Sequence, residues 1–386
     1  MLFSGVALYS ALYAVVPLLP LLERLFGAPP GAAGPGMGLP LLLLVLLSPL
    51  TPRLSLPPGV LLGGGLLLVG VGGVLGALSP SLFLWTLARL LQGAGAALVP
   101  ALAIALLPLL YPRRAWEVAG LYMAGNVLGG GLGRVLAGVL AEGLGVREAL
   151  LFLSLPALAL GLLLLGLPRG KTPPLGPARY DLRALPLYAV GAVLLFLNLF
   201  LANLLPYRLL DLGYRPAEVG LVYLAYLFGL PGSALSGFLA ARLGPRRTFR
   251  LAFLGVLVAL GLLLLPPPFL VAGFVLLMAF LFTAQSLASG AAGQRGPGVS
   301  GTYVASFYLG GTLAGLAYPL FLHSFPLAVG LGAALALLAQ AQEGFRPGGK
   351  GKATARKALR RAQTPFVREV AERILSPATD PEAPGP

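Results

Sequence analysis

Gly120-Leu-Tyr122-Met-Ala124-Gly125-Asn126-Val-Leu128-Gly129-Gly130 and Gly301-Thr-Tyr303-Val-Ala305-Ser-Phe-Tyr-Leu309-Gly310-Gly311 spell nearly the same helix twice. Glycine, tyrosine, alanine, leucine and a glycine pair recur at a constant offset of 181 residues, with no gap. A repeat on that scale in so apolar a chain predicts two like halves packed against each other within a bilayer. Such halves can rock about a site at their interface and open it first to one side, then to the other.

Composition points the same way. Hydrophobic residues make up 58% of the 386 residues and charged residues 10%, with a mean hydropathy of +0.90. A soluble domain is closer to half apolar and a quarter charged. Apolar runs of about 20 residues cross a bilayer as helices, because every backbone polar group is then satisfied within the segment. About twelve such runs are legible. The first half holds 2–22, 37–51, 59–79, 82–110, 115–141 and 146–167. The second holds 186–207, 216–241, 248–265, 267–290, 299–323 and 325–342. The expected fold is an all-α membrane protein of twelve transmembrane helices in two pseudo-symmetric six-helix bundles, 1–167 and 186–342. A Pro- and charge-rich linker, 168–185, joins them, and a basic tail, 343–386, follows. The 36 prolines and 54 glycines suit a helical bundle only where neighbouring helices re-satisfy the freed backbone groups.

Charge sets the orientation. With the N-terminus inside, twelve Lys and Arg fall in the inner loops, among them Arg53, Arg113, Arg114, Arg242, Arg246, Arg247 and Arg250. Only Arg24, Arg147, Arg208 and Arg215 fall in the outer ones. That bias predicts both termini in the cytoplasm of a cell that carries the protein in its cytoplasmic membrane. The net charge of +15 then reports topology and attraction to anionic lipid; no aromatic-interleaved basic groove accompanies it, so no nucleic-acid partner is expected. The first span lacks a basic n-region and a small-residue cleavage site, and reads as retained. With no cysteine, thiolate metal sites and cysteine nucleophiles are excluded. Gly344-Phe-Arg-Pro-Gly-Gly349-Lys350 has phosphate-loop spacing, but Gly351 stands where Ser or Thr should bind Mg²⁺ and no buried strand precedes it. In the tail, Thr364 and Pro365 open a possible interfacial helix, although a solvated tail is the simpler reading. His323 stands alone at a span end and reads as structural. No catalytic residues, cofactor or metal are expected; the chain is not read as an enzyme.

Within the spans, Gly125, Gly129 and Gly133 leave one helix face bare for close approach, and Gly311 and Gly315 do the same in the counterpart span. Arg89 and Arg134 lie inside spans, where a charge costs a few kcal/mol unless paired or watered. For Arg134 the spacing suggests snorkelling or a pair with an acid such as Glu142. No Asp or Glu lies deep in any span. Glu23 and Asp211, at span ends, are the nearest carboxylates, so the residues themselves do not support proton coupling.

Several motifs resemble the major facilitator superfamily over residues 1 to about 342. Gly237-Phe-Leu239-Ala240-Ala241-Arg242-Leu-Gly244-Pro-Arg246-Arg247 is similar to the family's loop after the second span, and Ser48-Pro-Leu50-Thr-Pro52-Arg53-Leu-Ser55 is its worn first-half copy. Arg89-Leu-Leu-Gln92-Gly93-Ala-Gly95 resembles the fourth-span motif. Gly125-Asn126-Val-Leu-Gly129-Gly130 resembles the fifth-span signature of exporters, with Asn126 in place of its proline. The loop aspartate is missing twice, at Pro52 and Ala241. The resemblance, closest to bacterial efflux-type members, implies a secondary transporter that moves a small organic solute outward by alternating access. An antiporter coupled to protons or another ion would fit it. It implies gating or packing roles for Gly125, Asn126, Gly129, Gly130, Gly237, Arg242, Gly244, Arg246, Gly310 and Gly311. It also implies a cavity lined by the first and fourth spans of each half. Here these carry Tyr9, Tyr13, Arg89, Gln92, Asn198, Asn203, Gln285, Ser286 and Ser289, which suit a small amphipathic or weakly anionic solute, with Arg89 facing the cavity. The expected partners are a small-molecule substrate and the lipid bilayer, and the expected state is a monomer. A membrane scaffold or receptor anchoring the basic tail, and a lipid-precursor flippase, are the alternatives.

Overall fold

The structure, a computed structural model, describes residues 2–48, 50, 56–110, 115–166, 181–295 and 297–342, a few of them (chiefly 101–123) by backbone alone. These residues belong to one compact unit. Most of the linker, the loop 51–55 and the tail with its phosphate-loop look-alike lie outside them. Among the described residues the fold is all-helical, without a β-strand.

The first half forms α1 (Leu2–Tyr13), α2 (Leu19–Leu25), α3 (Gly34–Leu47), α4 (Pro58–Ala77), α5 (Leu82–Leu110), α6 (Ala115–Gly143) and α7 (Val146–Leu165). The second forms α8 (Leu185–Asp211), α9 (Pro216–Val222), α10 (Gly229–Leu243), α11 (Pro245–Leu262), α12 (Pro267–Gln294), α13 (Pro297–Ala317) and α14 (Phe325–Ala341). Short 3-10 turns, Val16–Leu18 and Tyr223–Phe228, join α1 to α2 and α9 to α10, so each of these pairs is one broken span. Among the described residues nine stretches are long and apolar enough to cross a membrane, and α3 and α14 are shorter apolar helices. The spans expected at 37–51 and 248–265 begin earlier than expected. Pro35 and Pro245 open α3 and α11 in their first turns. Gly244, at φ +82°, makes the whole turn between α10 and α11. Arg246, Arg247 and Arg250 therefore sit on the first turns of α11, not in a loop.

Prolines inside the spans free carbonyls, and other helices answer them. A proline cannot donate to the carbonyl four residues earlier. Pro40 in α3 leaves the Gly36 oxygen, which Arg89 Nε of α5 meets at 3.1 Å. Pro206 in α8 leaves the Ala202 oxygen, which receives the Tyr223 hydroxyl at 2.6 Å.

Gly129 and its repeat partner Gly310 do equivalent work in the two halves. A Cβ at Gly129 would stand 2.5 Å from the Val6 oxygen, and one at Gly133 would stand 2.6 Å from the Ser10 Cα; Gly125 faces Leu2 in the same way. So α6 lies along α1 backbone to backbone, and Ser10 Oγ donates to the Gly129 carbonyl at 3.2 Å. In the second half Gly310, the repeat partner of Gly129, lies on the Ala192 carbonyl of α8. Gly237 faces open space.

Two helix pairs join the halves. Along α3 and α13, Gly31 and Gly34 meet Pro319, and Gly38 meets Thr312, Gly315 and Leu316. Along α6 and α9, Gly138 meets Pro216 and Gly220, while Gly131 meets Tyr226. The α7 surface is left to lipid, with Phe152, Leu155, Leu162 and Leu163 exposed.

Candidate functional site

A cluster of polar aromatic side chains fills the seam. Tyr9 and Tyr13 stack one turn apart on α1, ring centroids 5.7 Å apart. The Tyr9 hydroxyl lies 2.9 Å from that of Tyr308 on α13, a hydrogen bond from one half to the other. Tyr226, in the break between α9 and α10, donates to Asn198 Oδ1 of α8 at 2.8 Å, and Asn198 Nδ2 faces Met278 Sδ of α12.

Arg134 stands at the centre of this cluster, inside α6 and nearer its Gly143 end than its Ala115 end. It is 1% exposed. Its guanidinium lies 4.6 Å from the Tyr13 ring centroid, 4.1 Å from that of Tyr226 and 5.8 Å from that of Tyr223. Nη1 donates to its own helix at the Gly130 carbonyl, 2.6 Å away, and Nε finds no hydrogen-bond partner among the described residues. Gly130 keeps that space open: a Cβ there would stand 3.2 Å from Nη1. The pairing with Glu142 suggested by the spacing is not made. Glu142 instead accepts from the Ala217 N–H at 2.8 Å and lies 3.7 Å from Arg215, at the surface. Arg134 is therefore a cation held by ring faces, with no ion pair among the described residues.

Arg89 is elsewhere. Besides the Gly36 carbonyl it donates to Gln92 Oε1, and Gln92 in turn donates to the Val69 carbonyl of α4 at 3.2 Å. Both side chains are buried among α3, α4 and α5 of the first half, with Trp85 beside Arg89. Of the cavity residues expected from the sequence, Tyr9, Tyr13 and Asn198 come together at the seam. Asn203 is buried on α8, with neither polar atom hydrogen-bonded among the described residues. Gln285 and Ser286 are half-buried and Ser289 exposed, further along α12. Among the expected gating residues, Asn126 is half-buried on α6. Gly311 faces Leu41, Leu195 and Leu199. Arg242 lies over Phe238, and Arg246 is exposed. Tyr223, Tyr226 and Tyr308 were not anticipated. Their only signal is position: two lie where a span breaks, the third inside the repeated segment.

A buried carboxylate ties the halves at the turn 26–33. Glu23 is 2% exposed; its Oε1 accepts from the Ala33 N–H at 2.9 Å and its Oε2 from the Tyr207 hydroxyl of α8 at 2.8 Å. Asp211 and His323 lie apart from the seam cluster, in a cavity also lined by Tyr207, Arg208 and Phe321.

Broken apolar spans, glycine faces and a polar aromatic core at the junction of two repeated halves define a multi-pass membrane transporter. The Major Facilitator Superfamily model matches residues 1–319, and the chain belongs to that family. It is 30% identical over 364 residues to the Inner membrane transport protein YnfM of Escherichia coli (strain K12), covering 87% of this chain and 86% of that one. It is 26% identical over 353 residues to the Uncharacterized MFS-type transporter YybF of Bacillus subtilis (strain 168), covering 83% and 85%. The bacterial homologue of the human lysosomal transporter Spinster, inward-facing and unoccupied, superposes with a TM-score of 0.67 at 14% identity, covering 88% of this chain and 92% of that one. That likeness is one of fold. Membership makes a small-molecule substrate and a lipid surround the protein's partners, and a transporter rather than an enzyme its class.

Proposed function

We propose that the protein is a secondary transporter that exports a small organic solute by alternating access. Twelve spans, with α1–α2 and α9–α10 each counted as one, would form two six-helix bundles, 1–167 and 186–342. The linker 168–185 and the tail 343–386 would lie in the cytoplasm with both termini, as the Arg bias favours. The observation that carries this reading is the Tyr9–Tyr308 bond beside the Arg134 cluster: polar groups from both halves meet in the middle of the membrane, where rocking of the halves would break and remake them. Tyr9, Tyr13, Asn198, Tyr226 and Tyr308 are the proposed wall of the solute site. Arg89 and Gln92 are assigned to holding α3, α4 and α5 together.

The contacts between halves run from the level of Tyr9 and Tyr308 to the 26–33 turn. With cytoplasmic termini that turn is external, so this arrangement is closed outside. Export is favoured by the Gly125-Asn126-x-x-Gly129-Gly130 resemblance and would operate in a cytoplasmic membrane like that named for YnfM.

The test is solute flux in proteoliposomes, with the full chain and with 344–386 deleted. Flux that survives deletion supports the transporter; binding of a partner by the tail with no flux from either protein would mean a scaffold. Faster accumulation of the solute by expressing cells would reverse the direction.

A further inference from the structure

We infer that Arg134 is an anion-binding residue and that the cargo is a small organic carboxylate with an apolar body, a deepening that rests on the transporter reading above. A guanidinium carries five N–H donors and a permanent charge. Inside a membrane such a cation is expensive unless something neutralises it. Here one donor is used on Gly130, Nε is unpartnered, and no ion pair with an acid is formed among the described residues. Ring faces of Tyr13 and Tyr226, 4.6 and 4.1 Å from the guanidinium, take the place of a counter-ion but accept none of its hydrogen bonds.

The cage is built from both halves. Tyr13 and Arg134 belong to the first, Tyr223 and Tyr226 to the second. A rocking motion that opens the seam at this level takes the Tyr226 ring from the guanidinium and leaves the cation with free donors. A carboxylate offers two oxygens in the geometry of that fork, while the tyrosine faces suit the solute's apolar body. The site is one-sided: the repeat places Gly315, not a second arginine, opposite Arg134, and Gly315 is spent on the backbone of Gly38 and Met37. A solute with one anionic end fits a single cation better than a dianion does. Arg89 does not compete, since Gly36 and Gln92 hold it.

The experiment measures binding and flux for matched pairs: benzoate with benzamide, phenylacetate with phenylacetamide, hexanoate with hexanamide. The full-length protein in detergent should be thermally stabilised by the acids and not by their amides. Arg134→Gln should weaken binding of the acids by about ten- to a hundredfold, and Arg134→Lys, which keeps charge but not the fork, by less. If Arg134→Gln does not fold, the acid–amide contrast in the wild-type protein decides alone. Amides binding as well as acids, or no acid binding at all, would overturn the assignment, as would Arg134→Gln binding the acids at wild-type strength. Counterflow of the same compounds separates this inference from the reading beneath it. Amides carried as fast as acids would leave a transporter and remove the anion site; acids bound at Arg134 but never carried would leave the site and remove the transporter.

Discussion

Arg89 meets a carbonyl that the chain itself has freed. Without Pro40 the Gly36 oxygen would accept from residue 40 within α3; with it, the Arg89 Nε fills the vacancy from α5. The bond is buried and charge-assisted, so Arg89→Met should cost about 1.5–3 kcal/mol in unfolding measured in detergent. Pro40→Ala restores the α3 donor and should lessen that loss by about 1 kcal/mol or more in a double-mutant cycle. Strict additivity of the two changes would mean that Gly36 is not what holds Arg89. The depth of Arg89 in its span was legible in the sequence; its partner was not, because the partner is a backbone group exposed by a proline on another helix. Arg134 reversed in the same way. Spacing pointed it toward Glu142, but burial points it into a tyrosine cage whose second wall, Tyr226, lies 92 positions away in a span not expected to line the cavity.

At the scale of helices, α6 is the element packed against both halves. One face, Gly125, Gly129 and Gly133, lies on α1 of its own half, and the other, Gly131 and Gly138, lies on the broken span of the second half. The first face was legible as glycines at four-residue spacing. The second was not, since Gly131 and Gly138 are seven residues apart and acquire meaning only against Tyr226 and Gly220. Backbone contact allows no added side chain, so Gly133→Val should push α1 from α6 and cost about 1–3 kcal/mol by overpacking. It should lower the melting temperature and broaden the protein in fluorescence-detected size exclusion. Gly237→Ala, on an exposed face with open space, should instead gain up to about 1 kcal/mol of helix propensity. Equal effects from the two would show that glycine content, and not helix contact, governs stability. The span boundaries were legible to within a few residues because apolar runs set them. The break at Val16–Leu18 carries a signal, Pro17 within it and Pro20 just beyond, whereas the stretch Tyr223–Phe228 holds no proline or glycine to mark one.

For the whole molecule, the pattern of ties between halves makes a mechanical claim. Glu23 with Tyr207, Gly34 with Pro319 and Gly138 with Gly220 all join the halves toward the 26–33 turn. If the protein works by rocking, that end must part in every cycle. The natural absence of cysteine makes the claim directly testable with the pair Gly34→Cys and Pro319→Cys. A Cβ at residue 34 would stand 2.7 Å from Pro319 Cγ, close enough for two sulfurs to join after a small adjustment of the helices toward the usual Cβ separation of about 3.8 Å. In proteoliposomes, flux through the double variant should stop on oxidation and return on reduction, while either single variant should be indifferent to both treatments. Glu23→Gln should act in the opposite sense. The amide would keep one oxygen acceptor but lose the charge that strengthens both bonds, loosening the closed end and raising maleimide labelling of a single cysteine at Leu41, which is buried at the seam in contact with Gly311. Undiminished flux through the oxidised, cross-linked protein would rule out parting at this end, and any opening for the solute would then have to lie elsewhere in the molecule.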